Sequence, residues 1–232
     1  MARFLLIHGA SHGAWCWDRL VPELTARGHQ AGAIDLPGHG ADPTPRGTVR
    51  MADYVARVRD HLKPGTILVG HSFGGFPITL AAAAAPEMVR DLVYLCALVP
   101  RPGQAFTAFR ADAISPDVSL AQTVDREAGV AIPDRETAGP VFYSDCTQED
   151  RNWALPQLTP QPIAVMTEAV DFDPPETPRH YIRCLEDKVV FPRYQLAISQ
   201  KWPNTYDMQA GHSPFLSDPE GLADILERIA TS

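Results

Sequence analysis

The sequence predicts an α/β fold: a mostly parallel sheet of about six strands, flanked by helices and interrupted by one helical lid insertion. Three observations predict it. Over residues 1–100, and again over 178–232, short apolar runs alternate with longer helical stretches, as in a parallel sheet buried on both faces. From about 101 to 177 that alternation stops. Between the third apolar run and an Ala-rich helix stands Gly70-His71-Ser72-Phe73-Gly74, a G-x-S-x-G sequence that makes a sharp strand-to-helix turn.

Phe4 to Ile7 is the first strand, a continuous apolar run, and His8 to Gly13 is a loop of small residues behind it. Ala31 to Asp35 is the second strand, ended by a Pro37-Gly38-His39-Gly40 loop that cannot continue a sheet. Ala52 to Leu62 carries apolar residues at helical spacing. Thr66 to Val69 is the third strand. Phe76 to Ala85 is rich in the strongest helix former, and Pro86 stops it. Leu92 to Ala97 is the fourth strand. The next stretch has helix-like pieces, aromatic residues and many of the chain's 22 prolines in 232 residues, against a usual share of about 5%. Prolines stiffen such a segment without strand pairing. Tyr181 to Leu185 is the fifth strand, with a structural His180 at its start; Asn204 to Met208 is the sixth, and Asp218 to Ala230 the last helix. One domain over 1–232 follows, with its core at 1–100 and 178–232 and a lid at about 101–177 above the carboxyl edge of the sheet.

Ser72 sits where the backbone is crowded, so the residues two before and two after it must lack side chains, and Gly70 and Gly74 do. A serine raised on such a turn becomes a nucleophile when a base, an acid that orients the base, and oxyanion donors surround it. In this arrangement the acid and then the histidine follow the serine along the chain. His212 lies in a turn-rich loop, Gln209-Ala210-Gly211-His212-Ser213-Pro214, after the sixth strand, at the edge where open α/β sheets bind ligands. The acid belongs after the fifth strand, where Glu186 and Asp187 stand. Aspartate is the commoner partner and Asp187 is further into the turn; Asp145 and Asp207 are rivals. The N–H of Phe73 and of Ala10 are the expected oxyanion donors. His8 and His12 are four apart, but no clustered carboxylate or helical context makes them a metal pair, so neither a metal nor an organic cofactor is expected.

Composition excludes other classes. A net charge of −8 and a pI near 5.4 disfavour nucleic acid and anionic membrane as partners. Met-Ala-Arg-Phe leads directly into the first strand, and no apolar run approaches a membrane span. Cys16, Cys96, Cys146 and Cys184 have no paired spacing and read as reduced, buried thiols of a cytoplasmic protein. A homodimer contact through the apolar lid is one expectation for its partners; a small-molecule ester is the other.

Five separated segments carry a resemblance that spans the chain: His8 to Trp17, Gly70 to Gly75, Phe142-Tyr143-Ser144-Asp145-Cys146, Cys184-Leu185-Glu186-Asp187-Lys188, and the Gly211-His212 loop. They resemble the α/β-hydrolase subgroup that holds plant methyl-ketone and methyl salicylate esterases, hydroxynitrile lyases and many small bacterial esterases. The resemblance implies Ser72, Asp187 and His212 as a catalytic triad, with Ala10 and Phe73 at the oxyanion. The lyases carry a threonine after the loop histidine and a lysine after the triad histidine; this chain has Gly9 and Ser213. It therefore resembles the esterases, and a serine carboxylesterase acting on small apolar or aryl esters is expected. The alternatives are a hydroxynitrile lyase or carbon–carbon hydrolase of the same fold, or a non-catalytic receptor for a small ligand. Gly9, Ser11, Phe106, Phe142, Trp153 and Ser213 are the expected pocket lining.

Overall fold

Parallel strands β1 (Arg3–Ile7), β2 (Gln30–Ile34), β3 (Thr66–His71) and β4 (Val89–Leu95) alternate with helices α1 (Leu20–Ala26), α2 (Met51–His61) and α3 (Gly75–Ala84). The computed structural model describes residues 1–109 and 113–232; residues 110–112, within the expected insertion, lie outside the described residues. The insertion contributes α4 (Asp117–Leu120), β5 (Gln122–Asp125), β6 (Val130–Pro133), α5 (Arg135–Phe142), α6 (Gln148–Ala154), β7 (Gln161–Pro162) and α7 (Ala164–Thr167). The core resumes with β8 (Arg179–Cys184), α8 (Pro192–Ser199), β9 (Asn204–Met208), α9 (Pro214–Ser217) and α10 (Pro219–Thr231).

The main sheet has six strands in the order β2-β1-β3-β4-β8-β9, and every pairing is parallel. Side chains alternate across it, so one strand feeds two cores. Leu5, Ile7, Leu68, Leu92 and Tyr94 pack on one face with α2 and α3; Phe4, Leu6, Ile67, Val69, Val93 and Leu95 pack on the other with α1 and α10. Helix α3 is buried along its first eight residues, which explains why its sequence is apolar apart from Thr79, whose hydroxyl donates to the Gly75 carbonyl at 2.6 Å. β4 ends one residue before Cys96 because that residue takes φ +36, which a strand does not accommodate.

The insertion departs from expectation. Besides short helices it holds a three-stranded antiparallel sheet, β5-β6-β7. Gly129, at φ +68, and the Asp125 carboxylate, which accepts from Ala128 N–H at 2.9 Å, close the turn between β5 and β6. The prolines do not prevent pairing because Pro133 and Pro162 stand at strand ends.

Candidate active site

The turn after β3 has the geometry its glycines permit. Ser72 takes φ +53, a left-handed conformation that costs a serine about 1–2 kcal/mol and lifts its side chain out of the sheet. A Cβ on Gly70 would lie 2.6 Å from the Gly74 carbonyl, one on Gly74 would lie 2.8 Å from two carbonyls of β1 and its loop, and one on Gly75 would run into the Leu98 carbonyl. Close approach, rather than unusual φ, therefore requires those three glycines. The Ser72 carbonyl accepts from Leu98 N–H at 3.0 Å, which ties the turn to the end of β4.

His212 and Asp187 meet in the interior. The ring donates from Nδ1 to Asp187 Oδ2 at 2.9 Å, and both side chains are essentially inaccessible to solvent. The carboxylate is fully engaged: Val189 and Val190 N–H donate to Oδ1 at 2.7 and 3.0 Å, and Gln195 Nε2 donates to Oδ2 at 3.0 Å. Glu186 and Lys188 on either side are exposed. Asp207 instead pairs with Arg183 on the surface, and Asp145 accepts from Gly211 N–H at 2.7 Å, bracing the His212 loop. His180 faces Asp91 across neighbouring strands at 3.2 Å and stays outside the site. With Nδ1 committed as donor, His212 Nε2 is left with its lone pair. Ser72 and His212 line the same cavity without a hydrogen bond between them; such contacts commonly tighten only with substrate bound.

The loop after β1 is held by neutral histidines. Leu36 N–H donates to His8 Nε2 and the ring donates from Nδ1 to the Gly9 carbonyl; burial pushes its pKa down to about 4. His12 donates from Nδ1 to the Ala10 carbonyl and accepts at Nε2 from the Tyr143 hydroxyl; burial pushes it down to about 3. His71 donates to the His212 carbonyl at 2.8 Å, while its Nδ1 has no protein partner and burial holds the ring well below the ordinary histidine range.

Above Ser72 lies a cavity of about 520 Å³. Ala10, Ser11, Phe73, Phe106, Phe142 and His212 are part of its wall, and Ile114, Val118, Met166 and Val190 extend it into the insertion. Three of the expected pocket residues lie elsewhere. Trp153 is on the surface with its ring edge against Trp15; Ser213 is buried with its hydroxyl donating to the Phe142 carbonyl at 2.8 Å. Gly9 is behind the nucleophile, where a Cβ would lie 2.9 Å from His71 Nδ1 and 3.0 Å from Ser72 Cβ.

Among the described residues, donor atoms of His71, Cys96 and His212 lie within 4.8 Å of one another, a set with metal-ligand chemistry. Three of their polar atoms are already engaged, His212 Nδ1 with Asp187, His71 Nε2 with the His212 carbonyl and the Cys96 thiol with that same carbonyl at 3.5 Å, while His71 Nδ1 has no protein partner. Burial pushes the Cys96 thiol well above its ordinary pKa, which favours its protonated form. Sequence reasoning missed Gln195 and Cys96; a polar residue in a short helix and a cysteine in an apolar run give no local signal of their partners.

Residues 4–225 match the family model described as the alpha/beta hydrolase family. The chain is 31% identical over 253 residues to the pheophorbidase of Raphanus sativus, spanning 100% of this chain and 95% of that protein. It is 28% identical over 261 residues to methylesterase 18 of Arabidopsis thaliana, spanning 99% and 97%. A crystal structure of a pyrethroid hydrolase superposes with a TM-score of 0.85 at 28% identity, covering 100% of this chain and 98% of that one.

Proposed function

The chain belongs to the alpha/beta hydrolase family, and from that premise we propose that it is a carboxylesterase, a serine hydrolase that cleaves neutral apolar or aryl esters through an acyl-enzyme. One observation carries the proposal: the buried His212–Asp187 pair lies against the same apolar cavity into which Ser72 projects. Similarity to a methylesterase and to a pyrethroid hydrolase supports the reaction class.

In this mechanism Ser72 Oγ attacks the ester carbonyl carbon while His212 Nε2 takes its proton. Asp187 holds the imidazole in the required tautomer and stabilises the imidazolium that forms. The carbonyl oxygen becomes an oxyanion that accepts hydrogen bonds from Ala10 and Phe73 N–H. Collapse breaks the carbon–oxygen bond, His212 returns the proton to the departing alcohol, and the acyl group stays on Ser72. Water, deprotonated by His212, then releases the acid and restores the serine. No step uses a metal or an organic cofactor.

Substrate class follows from the wall of the cavity. Among the described residues no Lys, Arg, Asp or Glu lines it, and His12 and His71, which do, are held neutral by burial. A charged acyl or alcohol group would give up hydration there and meet no opposite charge among the described residues. The volume falls within the range of about 300–1,000 Å³ usual for sites that enclose small organic ligands. The cation that a cyanide-releasing lyase places after the triad histidine is replaced by Ser213, whose hydroxyl is spent on Phe142.

Turnover of p-nitrophenyl acetate by the purified protein and its Ser72→Ala variant tests the proposal. Sustained hydrolysis is expected, with kcat lowered about 10⁴- to 10⁶-fold in the variant. A variant that keeps more than a few per cent of the activity removes Ser72 from the mechanism, and binding without turnover in the parent protein makes it a receptor.

A further inference from the structure

Ser11 follows Ala10 in the loop after β1 and takes φ +61, a left-handed conformation that a serine does not hold unaided. Both its main-chain polar groups are fastened by the insertion. Ser11 N–H donates to Gln161 Oε1 at 3.0 Å. Because a backbone N–H can only donate, the amide of Gln161 is oriented: Oε1 faces Ser11 and Nε2 turns to donate, to the Tyr54 hydroxyl at 3.4 Å and the Pro162 carbonyl at 3.3 Å. Tyr54 then donates to His39 Nε2 at 2.7 Å, and His39 donates from Nδ1 to Thr159 Oγ1 at 3.2 Å. Thr159 closes the circle on the Ser11 carbonyl, from its hydroxyl at 3.5 Å and from its N–H at 2.9 Å.

The donors therefore run in one direction around a ring of five residues, Ser11, Gln161, Tyr54, His39 and Thr159. Each ring member donates to the next and accepts from the one before, Thr159 donating to the Ser11 carbonyl through both its hydroxyl and its N–H. Ser11, His39, Tyr54 and Gln161 are buried, where an unmade hydrogen bond is costly and a completed ring polarises its members in the same sense. Burial also holds His39 well below the ordinary histidine range, which keeps the neutral ring that can accept from Tyr54 and donate to Thr159. On the other side of the same peptide, the Ala10 carbonyl is held by His12 at 2.8 Å.

We propose that Gln161 is a positioning residue for the oxyanion hole: through Ser11, and with Tyr54, His39 and Thr159, it locks the turn that presents the Ala10 N–H to the reacting carbonyl. The proposal rests on the esterase reading of Ser72 and Ala10. It makes the insertion part of the catalytic machinery as well as the roof of the cavity, because Thr159 and Gln161 belong to it.

The test compares Gln161→Met, which keeps the volume and loses both polar heads, with Tyr54→Phe, which opens the ring two bonds from Ser11. Ser72→Ala runs as the reference. Rates with a p-nitrophenyl ester are expressed per site titrated by an organophosphate, so that loss of folded protein does not enter, and per mole of folded protein for Ser72→Ala, which has no serine to titrate. Inhibition is measured with an aryl trifluoromethyl ketone, whose adduct with serine carries the oxyanion, and with the matching carboxamide, which does not. Gln161→Met is expected to lower kcat about 10- to 100-fold, somewhat less than removal of an oxyanion donor outright. Ketone affinity falls by a matching factor, while KM and carboxamide affinity stay within about threefold. Tyr54→Phe shows the same split at about threefold, and it decides the matter alone if Gln161→Met does not fold. Gln161→Glu, which keeps the acceptor for Ser11, recovers part of the loss. Retention of kcat and ketone affinity within twofold in both variants, or a fall in kcat without the matching fall in ketone affinity, overturns the proposal. Full activity in Ser72→Ala overturns the esterase mechanism instead.

Discussion

The loop that carries Asp187 and the insertion that roofs the cavity hold their shapes by opposite means. Asp187 receives two backbone N–H groups, one glutamine amide and the His212 ring in a space closed to solvent. Its position is over-determined by directional bonds. The insertion surrounds the substrate space with short elements, α4 and α7 of four residues and β7 of two, and presents side chains such as Phe106, Val118 and Met166. Apolar contacts are not directional, and swaps of similar volume are tolerated. The difference separates reaction from selectivity: changes in the first region should abolish turnover on every ester, whereas changes in the apolar side chains that the insertion presents to the cavity, as distinct from Gln161 and Thr159, which hold Ser11, should redistribute it among esters.

The largest effect that would break this separation is at the acid. Asp187→Asn leaves the shape of the side chain but stabilises the wrong imidazole tautomer, so kcat is expected to fall about 10³- to 10⁴-fold, equally for short and long acyl groups. Glu186→Gln, one residue away and exposed, should cost less than about threefold. Steady-state rates on both variants check this; a Glu186→Gln loss greater than that of Asp187→Asn would move the acid to the neighbouring residue.

Acid lability should come from a third place, the buried histidines at and around the β1 loop and the end of β3. His8 and His12 are pushed down to about 4 and about 3 from an ordinary 6.5, and His39 and His71 are lowered as well, all by burial. Below 6.5 the unfolded chain takes up protons on these rings and the native chain does not. Stability from this source is therefore complete above pH 6.5 and is lost as pH falls toward 4, at up to about 1.4 kcal/mol per pH unit for each ring. We expect the melting temperature to fall by on the order of 10 °C between pH 7 and pH 5. A flat or rising melting temperature over that interval, measured by calorimetry, would contradict it.

The nucleophile turn, the strands and the order of the triad are legible in the sequence because their signals are local. Gly70, Ser72 and Gly74 encode a turn by what they lack, strands declare themselves by apolar runs, and the order of acid and histidine follows from connectivity. Strand ends were less legible: β4 stops before Cys96 because of a backbone angle that no cysteine announces. The insertion is less legible for a physical reason. Its sheet is built on a Gly129 turn and two-residue β7, below the length at which alternation is visible. The partners of Gln161 and Gln195 lie far along the chain or inside a loop, so their functions exist only in the folded structure. Trp153, expected in the pocket for its aromatic character, faces out against Trp15, because aromatic character does not tell which way a ring faces.

That last point supplies the smallest and most selective prediction. Phe106 meets Phe73 edge-on at 5.2 Å between ring centroids and forms part of the cavity wall; Trp153 is 36% exposed and stands on Trp15, outside it. Phe106→Ala should remove apolar contact from a bulky acyl group and leave a small one almost unaffected. We expect kcat/KM to fall about five- to tenfold for p-nitrophenyl phenylacetate, the loss of roughly 1 kcal/mol of contact, and by less than about twofold for p-nitrophenyl acetate. Trp153→Ala should leave both esters within about twofold. The informative quantity is the ratio of the two esters, since it is independent of enzyme concentration. If Trp153→Ala shifts that ratio as far as Phe106→Ala does, the surface of α6 communicates with the cavity, and reaction and selectivity are not separated as the two regions suggest.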